Sequence, residues 1–129
     1  MFESLLINPK KNVERSLSIQ ALYLIVALMI MLLGIIHIWI TPRVYKSMTQ
    51  ESIWFVSGGL AVISNASLNL AMINVKLETS LLNYICIFNN VLIFIFSILL
   101  VRVLPRPQTK LLVGFMFLET VLGLWSKVK

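Results

Sequence analysis

The chain has 129 residues, of which 59% are hydrophobic and 12% charged, with a formal net charge of +6 and a mean hydropathy of +0.93. Soluble domains carry roughly 25% charged residues, so this composition excludes an ordinary soluble domain and points to a chain dissolved in lipid. The length suits one domain, residues 1–129, and no basic run interleaved with aromatics marks a nucleic-acid surface, so the cations read as headgroup contacts.

Residues 1–16 form a polar or interfacial N-terminal segment, with Met1–Ile7 either a short interfacial turn or disordered. The first apolar run covers 17–40, after Lys10, Lys11 and Arg15 and before Thr41-Pro42-Arg43. It is longer than a signal-peptide core and lacks a small-residue cleavage site, so it is expected to be a retained helix. The second run covers 52–73 and the third 81–101, the latter closed by Arg102 and Pro105-Arg106-Pro107. The fourth, 109–126, is short and near the lower limit for spanning.

Continuous apolar runs of this length are helices, because barrel strands alternate and are about half as long. Short connections make neighbours antiparallel. The expected fold is therefore all-α, a transmembrane up-down four-helix bundle with both termini on one side. Six Lys and Arg residues (Lys10, Lys11, Arg15, Lys76, Lys127, Lys129) fall on the terminal side and five (Arg43, Lys46, Arg102, Arg106, Lys110) on the other. That small excess favours both termini inside. So even a balance also permits insertion both ways round, and hence an antiparallel homodimer. Cys86, the sole cysteine, lies in the third run and reads as an inert core thiol.

The costliest residue is Glu119, in an apolar run from Leu111 to Trp125 with no basic residue beside it. A carboxylate at bilayer depth costs several kcal/mol unless protonated, paired or facing water. Counting from the end that carries the first and third loops, Glu119 lies about 12–15 Å deep, Asn89 and Asn90 about 17 Å, and Asn65 about 20 Å. These four are expected to meet near the midplane, with Asn69 deeper and His37 shallow. They are the candidate ligand- or proton-binding residues, together with His37.

Helical spacing adds a packing face. On the second run Ser57, Ala61, Asn65 and Asn69 step by four, with Gly58 and Gly59 beside them. Asn83, Cys86, Asn90 and Ser97 form a stripe on the third, Glu119 and Gly123 a pair on the fourth, and Gly34, His37 and Thr41 one side of the first. Small residues permit close helix approach, and asparagines in membranes often serve as glue, worth about 0.6–2 kcal/mol per contact. The same asparagines therefore suit either a functional site or a structural network around a neutral Glu119. Trp39, Trp54 and Trp125 lie near run ends and read as interfacial anchors. Asn65-Ala66-Ser67 matches a glycosylation sequon but lies within a span, out of reach of an oligosaccharide. One His and one Cys do not make a zinc site, and the common catalytic and phosphate-binding motifs are missing. No cofactor, metal site or catalytic residue is expected, although His37 and Glu51 flank the first loop and are placed to pair across it.

The stretch His37-Ile-Trp-Ile-Thr-Pro42-Arg-Val-Tyr-Lys-Ser-Met-Thr49-Gln-Glu-Ser-Ile-Trp54-Phe-Val-Ser-Gly58-Gly59-Leu-Ala61, followed by Asn65 and Asn69, resembles small uncharacterised bacterial four-span membrane proteins. In those a histidine ends the first helix, a proline follows, and Trp-Phe with glycines opens the second. The resemblance covers about a quarter of the chain and implies a bacterial inner-membrane protein, with His37, Trp54, Gly58, Gly59 and Asn65 as matching positions and no implied activity. In size, span number and a membrane glutamate the chain is also similar in architecture to small multidrug-resistance transporters, whose glutamate is in the first helix rather than the fourth. The expected function is a membrane protein with a polar bundle interior that binds a small ligand. The alternatives are a proton-coupled small-solute transporter using Glu119 and an assembly subunit of a membrane complex. Expected partners are the lipid bilayer and either a second copy or another membrane protein.

Overall fold

The computed structural model describes residues 9–74 and 80–125. Four helices follow one another: α1 (Pro9–Val44), α2 (Gln50–Asn74), α3 (Ser80–Val103) and α4 (Pro107–Trp125). The fold is an all-α four-helix bundle. Each helix packs on its chain neighbours and α4 closes the ring against α1. Paired contacts run in opposite order along α1 and α2 (His37 on Phe55, Gly34 on Gly59, Tyr23 on Asn69), so those two helices are antiparallel. Phe94 on Phe117 and Asn90 near Gly123 show the same of α3 and α4.

Proline and hydroxyl chemistry sets the helix ends. Pro9 and Pro107 occupy first helical positions, where a missing N–H costs nothing and the fixed φ suits the turn. A reciprocal capping box opens α2: Thr49 N–H donates to Ser52 Oγ at 2.9 Å and Ser52 N–H to Thr49 Oγ1 at 3.2 Å. The connection between α3 and α4 is only Leu104 to Arg106. Across it the Thr109 hydroxyl reaches the carbonyls of Leu104 (2.5 Å) and Arg106 (2.8 Å).

Two boundaries correct the sequence reading. Helix α1 runs from Pro9, so the polar residues 9–16, expected as an N-terminal segment before the first run, are helical and continuous with it; Met1–Ile7 lies outside the described residues. Pro42 does not end α1 but sits inside its last turn. There it forfeits only the bond to Ile38, while the Thr41 hydroxyl donates to the His37 carbonyl at 3.1 Å and Tyr45 N–H to that of Thr41 at 2.9 Å.

The bundle is apolar outside. Leu22, Ile25, Met29, Leu32 and Ile35 of α1 and Phe88, Leu92, Ile95, Phe96 and Leu99 of α3 all face outward. Among the described residues three helices are long and apolar enough to cross a membrane: α1 from Asn12 to Val44, α2, and α3 from Leu81 to Val103. The fourth run, expected to span as well, is not among them. The 19 residues of α4 include Gln108, Thr109 and Lys110 at one end and Glu119 and Thr120 within it. Inside, Tyr23, Val26 and Ile30 of α1 meet Ala66 of α2 and Leu112, Met116 and Leu122 of α4. Alongside them Asn65, Asn69, Asn90, Ser97 and Glu119 are wholly buried.

Helices α1 and α2 approach most closely at two glycines. A methyl on Gly59 would lie 2.6 Å from Ile38 Cγ1 and 3.1 Å from the Gly34 carbonyl oxygen. One on Gly34 would lie 2.8 Å from Ile63 Cγ1 and 3.0 Å from the Gly59 carbonyl oxygen. Gly58, half-buried, faces the His37 imidazole instead. Ser57 and Ala61, expected on the packing face, are exposed on the outside of α2. A step of four residues overshoots one turn by about 40°, so the line through Asn65 and Asn69 has drifted about 40° at Ala61 and about 80° at Ser57.

Candidate functional site

Six side chains from all four helices form one hydrogen-bonded network in the bundle interior. Asn65 is its hub. Its Nδ2 donates to Glu119 Oε2 at 2.8 Å and lies 3.8 Å from Met116 Sδ, while its Oδ1 accepts from Asn89 Nδ2 at 2.5 Å. One turn along α2, Asn69 and Asn90 exchange amide bonds in both directions, at 2.8 and 2.9 Å. Asn69 Nδ2 also donates to the Asn65 carbonyl at 2.8 Å, joining the two clusters. Tyr23 completes the network from α1, its hydroxyl donating to Asn69 Oδ1 at 2.5 Å.

The arrangement follows from local sequence. Asn65 and Asn69 share a face because they are four residues apart, and small neighbours make room for the polar groups. Gly123 lies beneath the Tyr23 hydroxyl: a methyl there would be 3.2 Å from Tyr23 Oη and 3.6 Å from Asn90 Nδ2. Thr120, beside Glu119, turns its hydroxyl to the Met116 carbonyl of its own helix at 2.7 Å. Ser97 likewise bonds the Phe94 carbonyl, at 2.7 Å.

Glu119 is the one member whose bonding is incomplete. It has no exposed surface, and Oε1 is buried with no hydrogen-bond partner. A buried unsatisfied polar atom costs about 1–3 kcal/mol, and more if charged. No Lys, Arg or His forms an ion pair with it among the described residues, and the titratable group facing it is Tyr23. An acid so placed is compatible with its surroundings when it carries a proton, and demands water or a cation when it does not.

Comparison with protein-family models, curated proteins and solved structures finds no match for this chain.

Of the sequence candidates, Glu119, Asn65, Asn89 and Asn90 come together. His37 does not join them: it stacks on Phe55 at 3.7 Å between ring centroids, near the first loop, with Tyr45 edge-on to the same ring. Glu51 is exposed, and no ion pair joins it to His37 among the described residues. Trp39, Trp54 and Trp125 point outward near helix ends, with the Arg43 guanidinium 5.8 Å over the Trp39 ring. Two members escaped the sequence reading as site residues, Tyr23 and Asn69. The available signal for Tyr23 was its hydroxyl inside an apolar run, since a buried phenol needs a partner. Among the described residues no three His, Cys, Asp or Glu side chains cluster as metal ligands.

Proposed function

We propose that this chain is a multi-pass membrane carrier in which Glu119 binds and releases a proton, with Asn65, Asn89 and Asn90 as its polar surroundings and small-solute movement coupled to that proton. The observation that carries the reading is the buried, unpartnered Glu119 Oε1 inside a network that is otherwise bonded. An assembly role alone would be served by Asn or Gln, which bond without the risk of a buried charge. The bacterial inner-membrane setting, with both termini inside, belongs to the same proposal and is supported by the apolar exterior, the small excess of terminal-side cations and the resemblance around His37 to Asn69.

The test is proton movement in proteoliposomes holding a trapped pH-sensitive dye. Wild-type protein is expected to collapse an imposed pH gradient faster than empty vesicles, and Glu119→Gln to match the empty vesicles. Equal rates for the two proteins would remove Glu119 from the function.

A second reading, an assembly subunit, is favoured by the outward position of Ser57 and Ala61 on α2. Small residues facing lipid suit close approach by another helix. It predicts that Ser57→Cys protein cross-links to itself or to a native membrane partner, and that Leu at Ala61 abolishes the product.

A further inference from the structure

The bundle divides into two hairpins joined by unlike contacts. In the first, α1 and α2 are locked by the mutual approach of Gly34 and Gly59. In the second, α3 and α4 are tied by a three-residue connection and by the Phe94–Phe117 ring contact, 5.9 Å between centroids. Between the hairpins, the α1–α4 side is apolar, with Tyr23, Val26 and Ile30 clustered with Leu112, Met116 and Leu122. The α2–α3 side is amide-bonded: Asn65 to Asn89, Asn69 to Asn90, and the Cys86 thiol to the Leu68 carbonyl at 3.6 Å. Asn65 to Glu119 crosses the same division.

These two sides respond differently to water. Parting an apolar contact exposes hydrocarbon, whereas parting an amide pair exchanges one hydrogen bond for another at small net cost. The groups around Glu119 set what drives the parting. Helix α1 offers Tyr23, with Cys86 of α3 beyond it; α2 offers only the amides of Asn65 and Asn69. None of these is a cation, so loss of the Glu119 proton leaves a buried negative charge whose one bonded partner among the described residues is an amide. That penalty falls when water enters along the amide side.

We propose that the α2–α3 seam parts when Glu119 releases its proton, hinging on the apolar α1–α4 contact, so that the two hairpins act as a proton-controlled gate. This rests on the reading of Glu119 as the proton site and adds the moving element and its direction.

Cys86, the sole cysteine and wholly buried on the α2–α3 side, is a native reporter of the seam. The full chain in lipid vesicles is labelled with a membrane-permeant maleimide between about pH 5 and about pH 9, wild type beside Glu119→Gln. Taking the ratio of the two rates at each pH cancels the titration of the thiol itself. The ratio is expected near one at the acid end and to rise about tenfold or more at the alkaline end, because labelling follows the population of the open form. A ratio within about twofold throughout overturns the gate. Asn89→Ala, which keeps Glu119 and removes one seam bond, gives a check that does not depend on the Gln variant: faster labelling of Cys86 than wild type at acid pH is expected, and unchanged labelling counts against the seam. If the ratio stays flat while proton movement still requires Glu119, the gate fails and the proton site stands. If Glu119→Gln moves protons as wild type does, the proton site itself fails.

Discussion

Replacing Gly59 by Ala tests the close crossing of α1 and α2. The added methyl would lie 2.6 Å from Ile38 Cγ1, 3.3 Å from Ile38 Cδ1 and 3.1 Å from the backbone oxygen of Gly34. Ile38 is β-branched, and its Cγ1 sits too near the backbone to swing clear without leaving the favoured χ1 of a helical isoleucine. The Gly34 oxygen moves only with the helix. The methyl is therefore accommodated by separating the helices, and overpacking of this kind costs about 1–3 kcal/mol. Gly114→Ala is the matched control: nothing lies within 4 Å of its methyl, and the gain in helix propensity is about 1 kcal/mol. Both variants gain the same propensity, so they should differ by the overpacking cost alone, roughly 1–3 kcal/mol, with Gly59→Ala the less stable. Unfolding in mixed detergent micelles, followed by helical circular dichroism as the denaturing detergent fraction rises, measures the difference. Equal midpoints for Gly59→Ala and Gly114→Ala would refute the close crossing, because propensity alone treats both positions alike.

Three further outcomes follow from the interior network. Asn65→Ala strands Asn89 Nδ2 and Glu119 Oε2 together, so the same unfolding assay should show a loss of about 1–3 kcal/mol, larger than that from Ser57→Ala on the outer face. Tyr23→Phe should lose about 0.5–1.5 kcal/mol with its bond to Asn69, and Gly123→Ala should be destabilising only while the Tyr23 hydroxyl is present. A double-mutant cycle of the pair would then be non-additive, and additivity would show that the hydroxyl does not fill the space above Gly123. Because the closed bundle holds Glu119 in a site suited to its neutral form, stability should fall as pH rises, and Glu119→Gln should flatten that dependence. Parallel pH profiles for the two proteins would contradict the assignment.

Much of this architecture is legible in sequence because lipid imposes a simple rule, that buried backbone must be helical and outward faces apolar. The apolar runs therefore locate the bodies of all four helices. The convergence of Glu119 with Asn65, Asn89 and Asn90 is legible for a related reason: a fixed rise per residue converts sequence position into depth. Depth says nothing of azimuth, however. Repeating steps of four placed Ser57 and Ala61 on the packing face, whereas they are exposed; the inward face of α2 is shown by buried Asn65 and Asn69 and by the contacts of Gly59 with Ile38 and of Ile63 with Gly34. Tyr23 was missed because its ring blends into an apolar run while its hydroxyl does the bonding. The early start of α1 was missed because polar helical turns leave no hydropathy trace, Pro9 being the one local signal.

That early start has a consequence for how the molecule can be studied. At about 1.5 Å per residue the 36 residues of α1 extend roughly 54 Å, against a hydrocarbon thickness of about 30 Å. Helix α1 is thus longer than a single crossing requires, and the surplus falls in its charged first turns, which run without a break into the apolar stretch. A helical reporter domain fused in register at Asn12, beyond the helix-starting Pro9, would continue those turns, giving a 14.7 kDa protein a handle large enough to orient single particles in electron micrographs.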